Sequence, residues 1–330
     1  MSQEQLRAAA NLAQFHDAWL GAAQRLKKLP YGMAWKKSAG REYLYALRDR
    51  AGNGTSLGAR SPHTEELHAN YVREKSDATE REQSAGRQMN ESSRILRALR
   101  SPAIYPETAA ILREASRKSM LGVDILVIGT VAMTAYHYEA AHLIGIGLDA
   151  TADFDLAWAG RRGLQVAMTY PPAVSVFALL KSVDSTYTVN TERPFQALNR
   201  NAFEVELLVA PSVADTLSRS EPLKPTPMLE QEWLLRGSQV RQVVPATDGT
   251  AAMLVAPDPR WYALHKLWLA DKPSRNPLKA PKDRLQGTLL LAAIQTCMPR
   301  FPLDRDFRDS VPAELQRYLP VDTSSLSPRS

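Results

Sequence analysis

Three features of the 330-residue sequence predict an α+β protein. Residues 31–60 contain short aromatic-rich runs separated by Ser-Ala-Gly and Gly-Asn-Gly, a pattern typical of a small antiparallel meander. Residues 64–118 are dominated by Glu, Arg, Gln and Ala, which favour a long exposed helix or helical hairpin. From Val123 onward, apolar strand-like runs alternate with helical segments.

Composition is that of an ordinary globular protein. Hydrophobic residues make up 44% and charged residues 23% of the sequence, so a substantial core over two or three domains is expected. The lone cysteine, Cys297, excludes an internal disulfide and suits a reducing compartment. No signal-peptide stretch and no apolar run of membrane-spanning length is present in the sequence. We therefore expect a cytoplasmic protein without a membrane partner.

The N-terminal region is expected to combine helices with a basic sheet. Residues 3–28 carry apolar residues at roughly helical spacing and end before Pro30, which predicts a first helix. Residues 25–60 hold nine basic and two acidic residues, so the basic excess behind the net charge of +6 is concentrated around the meander. The long polar segment that follows is broken at "SPAIYPE" and resumes in "TAAILREASRKSM".

The segments after Val123 alternate in type, and their order predicts where polar groups come together. In chain order they are strand "VDILVIG", helix "TVAMTAYHYEAAHLIG", strand "ATADFDLAWAG", helix "PPAVSVFALLKSV", hairpin "FQALN"/"FEVELLVAP", strands "QVRQVVP" and "AAMLVAP", helix "PRWYALHKLWLA", and a helix starting near "KAPKDRLQGTLLLAAI". We predict that the second of these helices begins at Pro171, because proline is favoured in the first turn of a helix.

Two pairs of carboxylates share a strand face in this core. Asp153 and Asp155 point to one side if "ATADFDLAWAG" is a strand. Glu204 and Glu206 do the same in "FEVELLVAP". Like charges this close repel one another unless they bind a divalent cation, and oxygen ligands of this kind suit Mg²⁺. An Asp-x-Asp pair by itself is also common on surface strands and in turns, so the metal site depends on the whole order of motifs.

The turn after the first core strand supplies a second candidate element. Gly129 and Thr130 follow the strand and precede a helix. Glycine allows a close approach of the backbone to a phosphate, and the amide groups and dipole of a helix N-terminus favour negative charge. A Gly-Thr pair after a strand is by itself weak evidence for a phosphate site. The evidence is more specific because a helix and then the carboxylate strands follow the pair along the chain.

The segments "IGTVAMTAYHYEAAH", "LDATADFDLAW" and "FEVELLVAP" resemble the DNA polymerase β-like nucleotidyltransferase superfamily, and more narrowly a group of bacterial proteins with that fold. The resemblance implies that Gly129 and Thr130 contact phosphate and that Asp153 and Asp155 bind metal. It also implies that Glu206 is the third carboxylate, which activates the acceptor hydroxyl or holds the catalytic metal. The cofactor it implies is Mg²⁺ or Mn²⁺, and the substrate is an NTP.

This resemblance implies a nucleotidyltransferase core, a short mixed sheet with helices packed on it, in residues 121–215. Residues 1–120 then form a helical N-terminal region that contains the basic meander at 31–60. Residues 216–320 form a C-terminal α/β portion, and residues 321–330 form a disordered Ser/Pro-rich tail.

Basic residues outside these motifs add two further candidate sites. Lys266, in "YALHKLW", either reaches the triphosphate as a point charge or lies on the surface. Lys36, Lys37 and Arg41 lie among aromatic residues, and this combination is typical of surfaces that bind single-stranded nucleic acid. The alternative for these three is a small sheet with an ordinary aromatic core and an exposed basic face.

Two classes of function remain open from the sequence. The first is a metal-dependent enzyme that moves a nucleoside monophosphate from Mg-NTP to an acceptor hydroxyl on RNA, protein or a small molecule, with release of pyrophosphate. The second is a non-catalytic protein that retains the fold and binds nucleic acid or another partner. The pair of Asp153 and Asp155 favours the enzyme, because a protein without a metal has no reason to keep two like charges side by side.

Overall fold

The structure of the protein is a computed structural model that describes residues 1–145, 163–169, 174–215 and 221–321. The chain forms two compact units. The smaller unit spans Asn11–Ser92, and the larger unit contains Met1–Ala10 and Ser93–Ser330. The region boundaries that the sequence predicts at residues 120, 215 and 320 stay predictions.

A three-stranded antiparallel sheet and parts of two long helices form the smaller unit. The elements in chain order are α1 (Gln3–Lys28), β1 (Gly32–Ser38), β2 (Arg41–Leu47), β3 (Gly54–Ala59) and α2 (Pro62–Ala98). Strand β2 lies in the centre of the sheet. Ala39 and Gly40, which connect β1 to β2, both have positive φ angles, as tight two-residue hairpin turns require. The first helix and the meander are confirmed.

Within the described residues, the larger unit is built around a mixed sheet of five strands in the order β4-β5-β8-β7-β6. Its strands are β4 (Ile125–Ile128), β5 (Gly163–Met168), β6 (Thr188–Val189), β7 (Gln196–Leu198) and β8 (Glu204–Val209). Strands β5 and β8 are parallel, and the other neighbouring pairs are antiparallel. The predicted hairpin of "FQALN" and "FEVELLVAP" is confirmed as β7 and β8.

Helices α3 (Pro106–Arg117), α4 (Ala132–Glu139) and α5 (Val176–Val183) lie before and between these strands in the described part of the sequence. Helix α5 begins later than the sequence predicts, because its start is set by a cap and not by a proline. Ser175 is the N-cap residue, and its hydroxyl accepts a hydrogen bond from the backbone N–H of Ala178 at 3.0 Å. Pro171 lies outside the described residues.

The C-terminal part of the larger unit adds a β-hairpin and a pair of packed helices. Its elements in chain order are α6 (Pro211–Ala214), α7 (Gln231–Leu234), β9 (Val240–Pro245), β10 (Ala251–Ala256), α8 (Pro259–Asp271), α9 (Ala280–Cys297), α10 (Arg305–Ser310) and α11 (Ala313–Gln316). Helix α4 packs on the β9–β10 hairpin, and α8 packs on α9. The two strands and the two long helices were predicted and are confirmed, so the architecture is α+β.

Strand β8 has one buried face and one polar face, and this alternation positions the candidate site. Val205, Leu207 and Val209 are almost completely buried in the core of the larger unit. Glu204 and Glu206 alternate with them and are partly exposed. The two glutamates therefore lie on the sheet face opposite these three apolar side chains, as the period of two in a strand requires.

Some sequence predictions concern residues that the structure does not describe. The strand "ATADFDLAWAG", which carries Asp153 and Asp155, lies outside the described residues, and so do residues 322–330 of the predicted tail. In the part of the chain that is described, no helix is both long and apolar enough to cross a bilayer.

Candidate active site

A row of polar side chains crosses three neighbouring strands of the five-stranded sheet. Gln165 on β5 pairs with Glu206 on β8, and Glu206 pairs with Gln196 on β7. Residues that pair directly across strands have their side chains on the same face. The register therefore brings two amides to either side of one carboxylate.

Both oxygens of Glu206 accept a hydrogen bond from these amides. Gln196 donates from Nε2 to Oε1 of Glu206 at 2.7 Å, and Gln165 donates from Nε2 to Oε2. Hydrogen bonds to an ionised carboxylate are stronger than those between neutral groups. The side chain of Glu206 is thus held on both sides by donors.

The turn after β4 is shaped by the need for a glycine. Gly129 has a φ of +67°, in the left-handed region that residues with a Cβ seldom adopt. A Cβ built on Gly129 would lie 2.1 Å from Oε1 of Gln165, which no real contact allows. The positive φ favours glycine here, and a Cβ at this position would also displace the amide end of Gln165. Thr130 follows it, partly exposed, just before helix α4 begins at Ala132.

One side chain, Gln165, therefore contacts both sequence-predicted elements of the site. Its Oε1 end approaches Gly129, and its Nε2 end donates to Glu206. The predicted phosphate turn and the predicted third carboxylate are neighbours in the folded chain. This proximity was expected from the order of the motifs, but the residue that connects them was not.

A buried tyrosine on α8 anchors the same turn from the other side. The Tyr262 hydroxyl donates to the backbone carbonyl of Gly129 at 2.7 Å. Burial raises the pKa of Tyr262 well above its ordinary value, so this phenol stays protonated and remains a donor. Its ring packs against that of Tyr136 on α4, with the ring centroids 5.1 Å apart. Helix α8 thus fixes the position of the Gly129 carbonyl.

Lys266 lies one helical turn after Tyr262, in a buried ion pair. Its Nζ donates to Oδ1 of Asp283 at 2.7 Å, and Nζ lies 5.5 Å from the centroid of the Tyr262 ring. Burial lowers the pKa of Lys266, although the charge of Asp283 acts in the opposite direction. Arg275 also donates to Asp283, from Nε at 2.7 Å. The predicted contact of Lys266 with nucleotide stays a prediction.

The register of the basic sheet separates the three predicted nucleic-acid contacts. Lys36 pairs with Tyr43, and Arg41 pairs with Ser38 two residues further along β1, so Lys36 and Arg41 share one face. Lys37 pairs with Glu42 on the other face. The structure therefore brings Lys36 and Arg41 together, and it does not place Lys37 with them.

The aromatic partner of Lys36 is defined by a direct contact. Its Nζ lies 4.8 Å from the centroid of the Tyr45 ring, and it also donates to the carbonyl of Gly52 at 2.7 Å. Tyr45 lies on the same face as Tyr43 and Arg41, because these positions alternate along β2. This face of the sheet, which we call the basic face, consists of Lys36, Arg41, Tyr43 and Tyr45.

A family profile described as nucleotidyltransferase matches residues 106–312, which is more than half of the chain. The chain belongs to the nucleotidyltransferase family. No curated protein and no solved structure matches it. The predicted resemblance to the nucleotidyltransferase superfamily and the predicted fold are thereby confirmed, and family membership supports nucleotidyl transfer as the general activity.

The family match encloses the candidate site. Gly129, Gln165, Glu206 and Tyr262 all lie within residues 106–312. Asp153 and Asp155 lie within the same match, although they lie outside the described residues. Among the residues that the structure does describe, no group of three or more His, Cys, Asp or Glu side chains forms a metal-binding cluster.

Three residues of the candidate site, Gln165, Gln196 and Tyr262, were not predicted from the sequence. Each of the two glutamines lies in a short, largely apolar strand, and Gln196 is 1% exposed. A buried side-chain amide needs hydrogen-bond partners, so a glutamine in an apolar strand indicates that polar groups lie next to it. The partner itself was not readable, because it depends on strand register.

Proposed function

We propose that the protein is a metal-dependent nucleotidyltransferase that moves a nucleoside monophosphate from Mg-NTP to an acceptor hydroxyl and releases pyrophosphate. The observation that carries this proposal is the contact of Gln165 with both Gly129 and Glu206. It supports a shared site for phosphate and carboxylate inside the family match. Mn²⁺ is the alternative cation.

The residues present fit a divalent cation. Glu206 is a partly exposed carboxylate, and an ionised carboxylate offers about four acceptor positions, of which the amides use two. We propose Asp153 and Asp155 as the other ligands, on the sequence alone. When bound, Mg²⁺ neutralises charge on the phosphate oxygens and orients the transferring group.

In the proposed reaction, the acceptor oxygen forms a bond to the α-phosphorus, and the bond from that phosphorus to the bridging oxygen of pyrophosphate breaks. The proton of the acceptor hydroxyl leaves with a base, for which Glu206 is the candidate because it is a partly exposed carboxylate close to the Gly129 turn. Gly129 allows the backbone to approach the phosphates, and Thr130 and the first N–H groups of α4 follow it. Lys266 is a proposed contact to the triphosphate, which requires that it exchange Asp283 for phosphate.

RNA is the acceptor that we favour, because of the basic face. Lys36 and Arg41 supply charge for phosphates, and Tyr43 and Tyr45 supply rings for base stacking on the same side of the sheet. A protein hydroxyl or a small molecule would not need this combination of groups.

The second candidate is a non-catalytic nucleic-acid-binding or partner-binding protein that retains the fold. The observation in its favour is that both oxygens of Glu206 already accept hydrogen bonds within the protein. A carboxylate used in this way can serve structure alone.

Incubation with each α-labelled NTP and Mg²⁺, with and without total RNA, tests the proposal. We expect label in RNA, released pyrophosphate, and no transfer in excess chelator or by the Asp153→Asn variant. Binding of NTP with equal affinity in Mg²⁺ and in chelator, and no label in any acceptor, would support the non-catalytic alternative.

A further inference from the structure

The side-chain amide of Gln196 has a fixed orientation, and this orientation is set by its hydrogen-bond partner Asn190. Asn190 accepts hydrogen bonds at Oδ1 from the backbone N–H groups of Glu192, at 3.0 Å, and Arg193, at 3.2 Å. Backbone N–H groups can only donate, so this atom of Asn190 must be the oxygen. The Nδ2 group then points away from the turn and donates to Oε1 of Gln196 at 3.1 Å.

The orientation of Asn190 determines what Gln196 offers to Glu206. With its Oε1 accepting from Asn190, the Nε2 group of Gln196 faces Oε1 of Glu206 at 2.7 Å. The reversed amide would place two donors together at Asn190 and two acceptors together at Glu206. Because Gln196 is 1% exposed, water cannot relieve those contacts.

Gln165 completes the arrangement from the neighbouring strand. Its Nε2 donates to the other oxygen of Glu206, while its Oε1 end is packed beside Gly129. Each group thus donates to the next: the backbone N–H groups of residues 192–193 to Asn190, Asn190 to Gln196, and Gln196 to Glu206. Gln165 is the second donor to Glu206. We call Asn190, Gln196 and Gln165 the amide relay.

We propose that the amide relay holds the Glu206 carboxylate in one orientation as an obligate acceptor, so that Asn190, Gln196 and Gln165 are positioning residues for nucleotidyl transfer. This role rests on the proposed function. Groups that orient a metal-binding or catalytic carboxylate commonly change activity or metal affinity about tenfold to hundredfold when they are removed. Asn190 is the most informative of the three, because it does not contact Glu206 among the hydrogen bonds described.

The Asn190→Asp variant isolates the direction of the relay. Aspartate has the same shape and still accepts from the two backbone N–H groups, but it cannot donate to Gln196. Gln196 then turns its Nε2 toward the new carboxylate and its carbonyl toward Glu206. We expect kcat for transfer to fall tenfold to hundredfold, with KM for NTP within about threefold of wild type.

Two matched controls separate the relay from general effects of such changes. Asn276→Asp makes the same substitution at an exposed turn, where Asn276 Oδ1 accepts from the backbone N–H of Leu278 at 2.9 Å. Gln242→Leu removes an amide that donates to a different carboxylate, Glu139, at 2.8 Å. Both controls should keep wild-type kcat. The midpoint of thermal unfolding, measured for each variant, identifies any protein that has lost its fold.

A second readout does not depend on turnover. Mn²⁺ binding, followed by electron paramagnetic resonance, should weaken tenfold to hundredfold in Gln165→Leu and in Asn190→Asp, and remain unchanged in both controls. Folded relay variants with wild-type kcat and wild-type Mn²⁺ affinity, beside an active wild type, would overturn the positioning role alone. A wild type that binds no Mn²⁺ and transfers no label would overturn the proposed function, and the positioning role with it.

Discussion

At Glu206, two N–H donors converge on one carboxylate, and a glutamine of the same shape cannot accept from both donors in their present orientation. A glutamine offers one oxygen and one NH₂ group, so its NH₂ would face a donor unless a neighbouring amide turns. Gln196 is held by Asn190, which leaves Gln165 as the amide that must turn. The carboxylate is therefore specified by its neighbours as well as by its proposed chemistry.

We expect Glu206→Gln to reduce transfer about a thousandfold, the size of effect that several kcal/mol of lost transition-state stabilisation produces. The free energy of unfolding should fall by about 1 kcal/mol, because a charged acceptor becomes neutral. Transfer of labelled nucleotide and urea unfolding measure the two effects. Glu204→Gln, on the same face of β8, is the matched control and should lose much less activity. Equal losses of transfer activity in both variants would show that Glu206 has no catalytic role beyond that of Glu204.

At the scale of elements, helix α8 contacts the Gly129 turn through the hydroxyl of Tyr262. Tyr262→Phe removes the hydrogen bond to the Gly129 carbonyl and leaves that buried acceptor with the 3.2 Å bond from Ala132 N–H. We expect a loss of about 1 kcal/mol in the free energy of unfolding and a clear fall in transfer, because the turn becomes less well positioned.

Tyr138→Phe is the control for this effect. Tyr138 is also buried, and its hydroxyl donates to a backbone carbonyl, that of Pro102, at 2.9 Å. It should lose similar stability and keep wild-type transfer. If both variants lose transfer equally, the contribution of Tyr262 is to general stability and not to the Gly129 turn.

Elements were predictable from sequence to different degrees. The β7–β8 hairpin, the separate strands β9 and β10 and helix α8 carry local patterns, namely strand-like runs around turns and a proline at the helix start, so they were predicted. The start of α5 was placed wrongly because a serine cap was not distinguished from a proline pair. The pairing of Gln165 with Glu206 joins strands 41 residues apart, and nothing local in either strand encodes it.

The basic face offers a control within its own strand. Lys36 and Arg41 lie on that face, and Lys37 lies on the opposite one. If RNA docks there, the Lys36→Ala and Arg41→Ala double variant should weaken RNA binding and lower the slope of log K against log salt by roughly 0.7 per lost phosphate contact. Lys37→Ala should leave both quantities near wild type. RNA affinity is measured by fluorescence anisotropy. If both variants lose affinity in proportion to the number of charges removed, RNA binding depends on net charge and not on a defined face.

At the scale of the whole molecule, buried histidines make stability depend on pH. Burial lowers the pKa of His265 to about 3 and that of His137 to about 4, from an ordinary value of 6.5. For His265, the charge of Lys266 acts in the same direction. Both imidazoles are neutral in the folded protein at pH 5, whereas in the unfolded chain they are protonated below pH 6.5.

The sign of the effect follows from which state binds more protons. Between pH 6.5 and about 4, the unfolded chain takes up protons that the folded protein does not, so acid favours unfolding. Each histidine should then cost about 1 kcal/mol of unfolding free energy per pH unit.

His265→Phe should remove one of these contributions, so its stability relative to wild type should increase as the pH falls from 6.5 to 4.5. Urea unfolding monitored by tryptophan fluorescence at several pH values measures this difference, and His63→Phe, at an exposed position, is the control. A difference between His265→Phe and wild type that does not change with pH would show that the pKa of His265 is the same in the folded protein as in the unfolded chain.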